Sequence, residues 1–439
     1  MPQTRESKLK KTISILIVIG LYFFSRLIKL DSLPVFADEA IYIRWSQVIK
    51  NVETLRFIPL TDGKQPLFMW LTVPFLKIFT DPLIAGRFVS ILSGFINLIC
   101  VFFITAIVLN KTKLSKADPL DYLTKVIQKN YYPSLLASFL YVVTPFSLFF
   151  DRLATPDNLL TAFVLISIFL TLLQSKFYRL DLSLLLGGSL ALAWLTKTPA
   201  IYYIAISTFL LITNKLVTKP NLTKIGISIL PAIIAFLSYN LLRLGPQFHM
   251  IALRNKDYVW PLSEIVKHPL DPLKPHLLAI IDIYKSYVSL PLLMIFTLAF
   301  IFFLLKNKKK ITFESTVLFL CLLAPSLASA SMAKVMTGRY VITSFPLFII
   351  SLLYLVSNIS KKQTNILNNK RGLFLIIFIL IISPNIIKIN TLIVNPAKFN
   401  FVDTDKGYIN DWTSGWGIEE VADYLINRAR VTNVIVGTE

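Results

Sequence analysis

Apolar residues fall into long blocks along the chain, and the polar positions are gathered between them. A membrane-spanning helix needs about 20 mostly apolar residues, and eleven runs near that length lie at 12–30, 83–109, 131–150, 158–174, 182–196, 199–213, 225–243, 288–305, 315–333, 340–357 and 372–388. The pattern predicts an all-α polytopic membrane protein. Two intervening segments, 31–82 and 244–287, are long and hold amphipathic stretches too short to span. In the first, Ile41, Trp45, Val48 and Ile49 share one helical face while Arg44, Gln47 and Lys50 share another, as expected of a helix lying in the membrane interface. Pro66 to Phe79 is a second such piece, interrupted by Pro74 and Lys77. Beyond the last run the composition turns to Asp, Lys, Gly and Asn. There Ile418, Val421, Ala422 and Leu425 predict a helix, and Val431 to Val436 a strand. The chain thus divides into a membrane domain, 1–389, and a short outer α/β segment, 390–439. One helix and one strand cannot bury a core alone, so this tail is expected either to pack on the membrane domain or to begin a soluble domain of a longer protein.

Composition supports the class. The 439 residues are 55% hydrophobic and 16% charged, with a mean hydropathy of +0.66, against roughly 25% charged in soluble domains. With 14 Gly and 2 Cys, collagen-like and disulfide-stapled classes fall away. Cys100 and Cys321 sit inside apolar runs and read as packing residues. No internal repeat or nucleotide-binding glycine loop is present.

A formal charge of +21 would suggest nucleic acid in a soluble protein, but here it reports topology. With Arg5, Lys8, Lys10 and Lys11 placed inside, the segments 1–12, 110–130, 175–181, 214–224, 306–314 and 358–371 hold 22 of the 45 Lys and Arg and five of the 24 acids. That is the positive-inside pattern. It puts the N-terminus in the cytoplasm, the C-terminus outside, and both long segments on the outer face of a multi-pass plasma-membrane protein. Acidic Asp31 follows Leu30 with no small-residue cleavage pattern, so the first span is expected to be a retained anchor.

Ionisable residues at the outer edge are expensive and mark function by default. Asp38 and Glu39 open the first outer segment, and Lys64 and Arg87 close it. Arg152 and Asp157 occupy a short turn, Lys197 separates two spans, and Arg339 precedes another. Adjacent carboxylates facing an excess of cations describe a site for a phosphate head group with a general base beside it. A divalent metal ion is a further candidate ligand of the acids. Plainer roles compete at each position. Asp38 can cap the 40–50 helix with Glu39 favouring its dipole, Arg152 can pair with Asp151 or Asp157, Lys197 can snorkel, and Arg339 can anchor at the interface. His249, His268 and His276 are too widely spaced for a metal motif.

The ordered set of these motifs resembles the GT-C fold glycosyltransferases that use lipid-linked sugars, specifically the protein O-mannosyltransferase and lipid A aminoarabinose transferase group. The carrying residues are Ala37-Asp38-Glu39-Ala40-Ile41-Tyr42, Gly63-Lys64-Gln65-Pro66-Leu67-Phe68 with Trp70, Gly86-Arg87-Phe88, Asp151-Arg152-Leu153 with Pro156-Asp157, Leu195-Thr196-Lys197-Thr198-Pro199, and Gly338-Arg339-Tyr340. The likeness runs over about 13–350. It implies inverting transfer of a sugar from a polyprenyl phosphate to an acceptor on the non-cytoplasmic face, the acceptor being protein, lipid or glycan. It also implies that Asp38 is a catalytic base or metal-linked carboxylate with Glu39 its companion. Lys64 and Lys197 would hold the donor phosphate, Arg87, Arg152 and Arg339 would support it, and Tyr42 and Asp157 would line the substrate site. The chain departs from the pattern where Gln65 replaces a proline, Gly63 stands in place of an acid or histidine, Thr198 replaces a glycine, and Ile41 replaces an arginine. A carrier or flippase of lipid-linked sugars is the alternative of a different class, needing the same head-group site but no general base. Transporters, however, place ionisable groups near the membrane midplane.

Overall fold

The computed structural model describes residues 5–110, 118–214, 222–306, 312–359 and 371–437. Many of the basic loop residues that set the expected sidedness, such as Lys111, Lys113, Lys215 and Lys308, lie outside these ranges.

The described residues form eighteen α-helices: α1 Arg5–Leu27, α2 Ala37–Asn51, α3 Leu67–Phe75, α4 Pro82–Val108, α5 Pro119–Val142, α6 Pro145–Asp151, α7 Pro156–Phe177, α8 Leu180–Thr196, α9 Ala200–Thr213, α10 Leu222–Tyr239, α11 Met250–Tyr258, α12 Leu262–Lys267, α13 Leu270–Tyr287, α14 Leu290–Lys306, α15 Phe313–Met332, α16 Ser344–Ile359, α17 Arg371–Val394 and α18 Ile418–Ala429. Every apolar run found in the sequence is helical. Four helices, α4, α7, α15 and α10 with its continuation to Leu244, are each long and apolar enough to cross a membrane alone. Shorter apolar helices fall at 180–196, 200–213, 290–305, 344–358 and 379–394. Proline opens α4, α5, α6 and α7 at their first positions, where its missing N–H is not needed. The run expected as one span over 131–150 is instead the pair α5 and α6, bent by 63°. Pro145 is the reason, since it cannot donate to the preceding turn and disfavours helical geometry at Thr144.

α4 lies at the centre, packed on α5 and α7, while α8 packs on α7 and α10. α2 and α3 rest on each other and on the start of α4. The buried face of α2 is Glu39, Tyr42, Ile43, Ser46 and Ile49, and Ile41, expected on that face, is 42% exposed. This side of α2 is claimed by polar as well as apolar neighbours, so a hydrophobic stripe alone misplaced its orientation by about one position.

The tail divides in two. Phe399, Phe401, Tyr408 and Ile409 are buried in the main core, with Phe401 against Phe149 and Tyr408 against Phe36. α18 follows with Ile418, Val421 and Tyr424 exposed. The strand expected at 431–436 does not form, and among the described residues no neighbouring strand is there to pair with it.

Three buried arginines bind the segments around α2. The Arg87 guanidinium in α4 pairs with both Glu39 oxygens at 3.0 Å and donates to the carbonyls of Leu30, Leu33 and Pro34 at 2.7, 3.1 and 3.0 Å. Glu39 also accepts from the N–H groups of Ala154 at 2.6 Å and Phe36 at 3.0 Å. Arg26 in α1 pairs with Asp151 at 3.1 Å and donates to Val142 O at 2.8 Å and Ser147 Oγ at 3.0 Å. Arg152 donates to the carbonyls of Ile28, at 3.1 Å, and Lys29. Removing one partner of a buried, hydrogen-bonded pair leaves an uncompensated charge at a cost of about 3–5 kcal/mol. Arg87→Ala should therefore lower the thermal unfolding temperature sharply in nanodiscs, and Glu39→Gln less so because the amide keeps part of the network. Wild-type stability of Arg87→Ala would contradict this.

Candidate functional site

The segments expected outside the membrane converge at one cavity of about 820 Å³. Its lining includes α2 (Tyr42), the turn before α3 (Gly63, Lys64, Gln65), the α8–α9 junction (Thr196 to Pro199), α11 and its exit (Arg254 to Lys256 and Tyr258 to Pro261), and the stretch after α15 (Lys334, Arg339, Tyr340). Six of the described lining residues are cations, Lys64, Lys197, Arg254, Lys256, Lys334 and Arg339, and none is a carboxylate.

The acids stand directly behind. Asp38 lies in the first turn of α2, but the N-cap position belongs to Phe36, so Asp38 is not the cap. Its Oδ2 accepts from Arg339 Nη1 at 2.6 Å, with the Asp38 side chain 30% exposed. Arg339 Nε donates to Tyr408 Oη at 3.1 Å, and its guanidinium lies 5.4 Å from the Phe36 ring centroid. Lys197 Nζ meets Asp157 Oδ1 at 2.6 Å. Lys197 follows the last turn of α8 in extended geometry because Pro199 stops the helix from continuing. Burial pulls the Lys197 ammonium below its usual value, and the Asp157 carboxylate opposes that shift. Asp157, Lys197 and Arg339 also line a small adjoining recess of about 20 Å³. Lys64 Nζ donates to Tyr258 Oη at 2.8 Å and lies 4.0 Å from Asp62. Gln65 Nε2 donates to Thr198 Oγ1 at 2.7 Å, joining the two lysine-bearing turns.

The structure thus brings Tyr42, Lys64, Lys197 and Arg339 to the cavity, with Asp38 and Asp157 held by its cations. It places Glu39, Arg87 and Arg152 elsewhere, in the buried framework, where their charges are taken up by each other or by backbone. Arg152 pairs with neither Asp151 nor Asp157, since Asp151 is held by Arg26 and Asp157 by Lys197. The donor set does not fit a divalent ion bound wholly by side chains. Asp38 and Asp157 each face a cation, and the described residues contain no group of three or more His, Cys, Asp or Glu placed to share a metal.

Sequence reasoning missed the far wall. Arg254, Lys256, Tyr258, Trp260 and Lys334 line the cavity because the two strips 258–260 and 332–334 pair. Trp260 N donates to Met332 O at 2.8 Å, and Lys334 N donates to Tyr258 O at 2.9 Å. The mixed charged and aromatic run Arg254 to Trp260 inside an otherwise apolar chain is the one signal that could have found it. Lys334 rests 5.4 Å over Trp260. Arg254 is held by Asp62, 2.5 Å away, and by Asp257, 2.8 Å away.

Residues 122–239 match the family model described as dolichyl-phosphate-mannose-protein mannosyltransferase, a stretch that includes Asp157 and Lys197 but neither Asp38 nor Lys64. No curated protein sequence matches the chain. Among solved structures, the chain is similar to the archaeal oligosaccharyltransferase AglB from Archaeoglobus fulgidus, in complex with an inhibitory peptide and a dolichol-phosphate, with a TM-score of 0.56 at 12% identity. That match covers 89% of this chain and 56% of that one, so the chain spans little more than half the length of AglB. It is also similar to ArnT from Cupriavidus metallidurans bound to undecaprenyl phosphate, with a TM-score of 0.51 at 14% identity, over 95% of this chain and 72% of that one. These likenesses bear out the GT-C transmembrane fold expected from the sequence.

Gly63 has φ +67°, and a Cβ there would stand 2.8 Å from both Arg254 Cβ and Met250 O. Left-handed geometry and close approach together explain why a glycine precedes Lys64. Gly63→Ala should displace Lys64 and the α11 wall and, if the cavity takes a lipid phosphate, weaken that binding about tenfold or more in a nanodisc titration. Unchanged affinity would show that the Lys64 turn is not part of the binding surface.

Proposed function

We propose that the protein is an inverting membrane glycosyltransferase that moves a hexosyl or pentosyl group from a polyprenyl-phosphate donor to an acceptor hydroxyl on the non-cytoplasmic face of the plasma membrane. The observation that carries the reading is the cavity's charge: six cations and no carboxylate among its described lining residues, with the Asp38 carboxylate held by one of those cations. A cavity of 820 Å³ falls within the size range of small-molecule sites, about 300–1,000 Å³. Tyr42, Tyr258, Trp260 and Tyr340 give it aromatic faces suited to a sugar ring. The dolichol-phosphate in AglB and the undecaprenyl phosphate in ArnT support a lipid phosphate as the occupant.

In the proposed reaction Lys64 and Lys197 hold the donor phosphate, with Tyr42 and Asp157 as neighbouring substrate contacts. Asp38 takes the proton of the acceptor hydroxyl as that oxygen bonds to the anomeric carbon. The bond from that carbon to the phosphate oxygen breaks, its electron pair leaves on the phosphate, and the two lysines meet the new charge. Attack opposite the leaving group inverts the configuration. Arg339 fixes the direction of the Asp38 carboxylate through the bond from Nη1 to Oδ2. Glu39, Arg87 and Arg152 act only through the framework that places α2.

The test is release of free polyprenyl phosphate from a panel of radiolabelled polyprenyl-phosphate sugars, by protein in nanodiscs with crude envelope extract as acceptor source. Wild type should release product from one donor. Asp38→Asn should lower turnover about 10²–10⁴-fold while donor binding persists, and Lys64→Ala should weaken donor binding. Wild-type turnover by Asp38→Asn would overturn the base assignment. Saturable donor binding with no release, and movement of intact lipid between leaflets, would establish the carrier instead.

A further inference from the structure

The segment after the last apolar helix holds both ends of the Asp38–Arg339 pair. On one side, Ala37 N donates to Thr413 O at 3.0 Å, immediately before Asp38, and Phe36 forms a bridge with Ser414. On the other, Asp405 is fully buried, and its Oδ1 accepts from Gly338 N at 2.8 Å, immediately before Arg339. Asp405 Oδ2 accepts from Tyr287 Oη at 3.0 Å. A Cβ at Gly338 would stand 2.5 Å from that oxygen, so the glycine permits the approach. Tyr408 accepts from Arg339 Nε at 3.1 Å and packs its ring on Phe36 at 4.6 Å and on Phe149 at 5.4 Å.

A carboxylate is expensive to bury, and burial raises the Asp405 carboxyl to about 6, against the opposing pull of Gly338 N–H, Tyr287 and Arg339. Its place is better explained by what it fixes than by packing alone. Arg339 has two rigid holds besides Asp38, the Tyr408 hydroxyl on Nε and the Asp405-bound turn before it, and both come from residues 403–408. We infer that Asp405 and Tyr408 are positioning residues of the transfer site, acting through Arg339 to set the direction of Asp38. The segment that looks like an appended outer tail is then a wall of the site. Its kinetic consequences rest on the transferase reading proposed above, but the positioning itself does not.

The experiment uses Tyr408→Phe and Asp405→Asn in nanodiscs, with two readouts. The first is amide hydrogen exchange over 334–341, independent of turnover. Both variants should exchange about tenfold or more faster there, as expected for losing or weakening a charge-linked hydrogen bond, while α7 is unchanged. The second is the split between kcat and donor KM. Asp38 is held by Arg339, so loosening that cation should misdirect the carboxylate and lower kcat about 10- to 100-fold, with donor KM unchanged. Unchanged exchange over 334–341, or a turnover loss fully matched by a loss of donor-binding protein with kcat per binding-competent protein unchanged, would overturn the inference. Faster exchange in a protein whose wild type shows no turnover would keep the positioning and sink the transferase reading instead.

Discussion

The site depends on the pairing of Arg87 with Glu39. A guanidinium and a carboxylate, each at 0% side-chain exposure, are tolerable only because nearly every donor and acceptor is used, and that requirement fixes the backbone around them. The carbonyls of Leu30, Leu33 and Pro34 must converge on Arg87, and the amides of Phe36 and Ala154 on Glu39. The entry to α2, the α6–α7 turn and the start of α4 are thereby locked together. Because successive helical residues point about 100° apart, locking Glu39 inward turns Asp38 toward Arg339. The adjacent acids differ in surroundings for that geometric reason: one is consumed by the framework, the other stays partly exposed and pairs with Arg339, a cation of the cavity wall.

Around the cavity the same logic runs at lower cost. Lys197 and Arg339 each bring a carboxylate partner, so their charges are balanced before any ligand arrives. Lys256 and Lys334 lie nearer solvent, where water supports them. An arriving anion would meet cations already fixed in direction by Asp157, Asp38 and Tyr258, and such preorganisation is what makes electrostatic stabilisation effective in a partly dry site. In the proposed reaction the carboxylates therefore serve twice, Asp157 by orienting Lys197 and Asp38 as counter-ion and base.

Much of this was legible in the chain because membrane helices announce themselves by length and apolarity. All eleven runs are helical, and the two long segments between them, 31–82 and 244–287, both contribute residues to one cavity. Lys197 and Arg339 could be singled out because each borders an apolar run, and Asp38 and Lys64 because they are charges in the first long segment between runs. What the sequence could not convey was pairing. Arg26, inside the first run, is matched by Asp151 more than a hundred residues later, and nothing local announces that. Glu39 and Asp38 look equivalent until the framework claims one of them. Asp405 and Tyr408 sit in a polar stretch whose composition suggests solvent, yet they are buried, because their partners at Gly338 and Arg339 become neighbours only once α13, α6 and the tail have packed.

The central claim is that a lipid phosphate binds between Lys64 and Lys197, within reach of Asp38. It is tested most directly by determining the structure of the protein in nanodiscs with an added long-chain polyprenyl phosphate, using a bound antibody fragment as a marker. The account predicts phosphate density with oxygens about 2.7–2.9 Å from the Lys64 and Lys197 ammonium groups, and the lipid chain leaving the cavity toward the bilayer. A phosphate bound at any other part of the chain, with this cavity unchanged at saturating lipid, would contradict it.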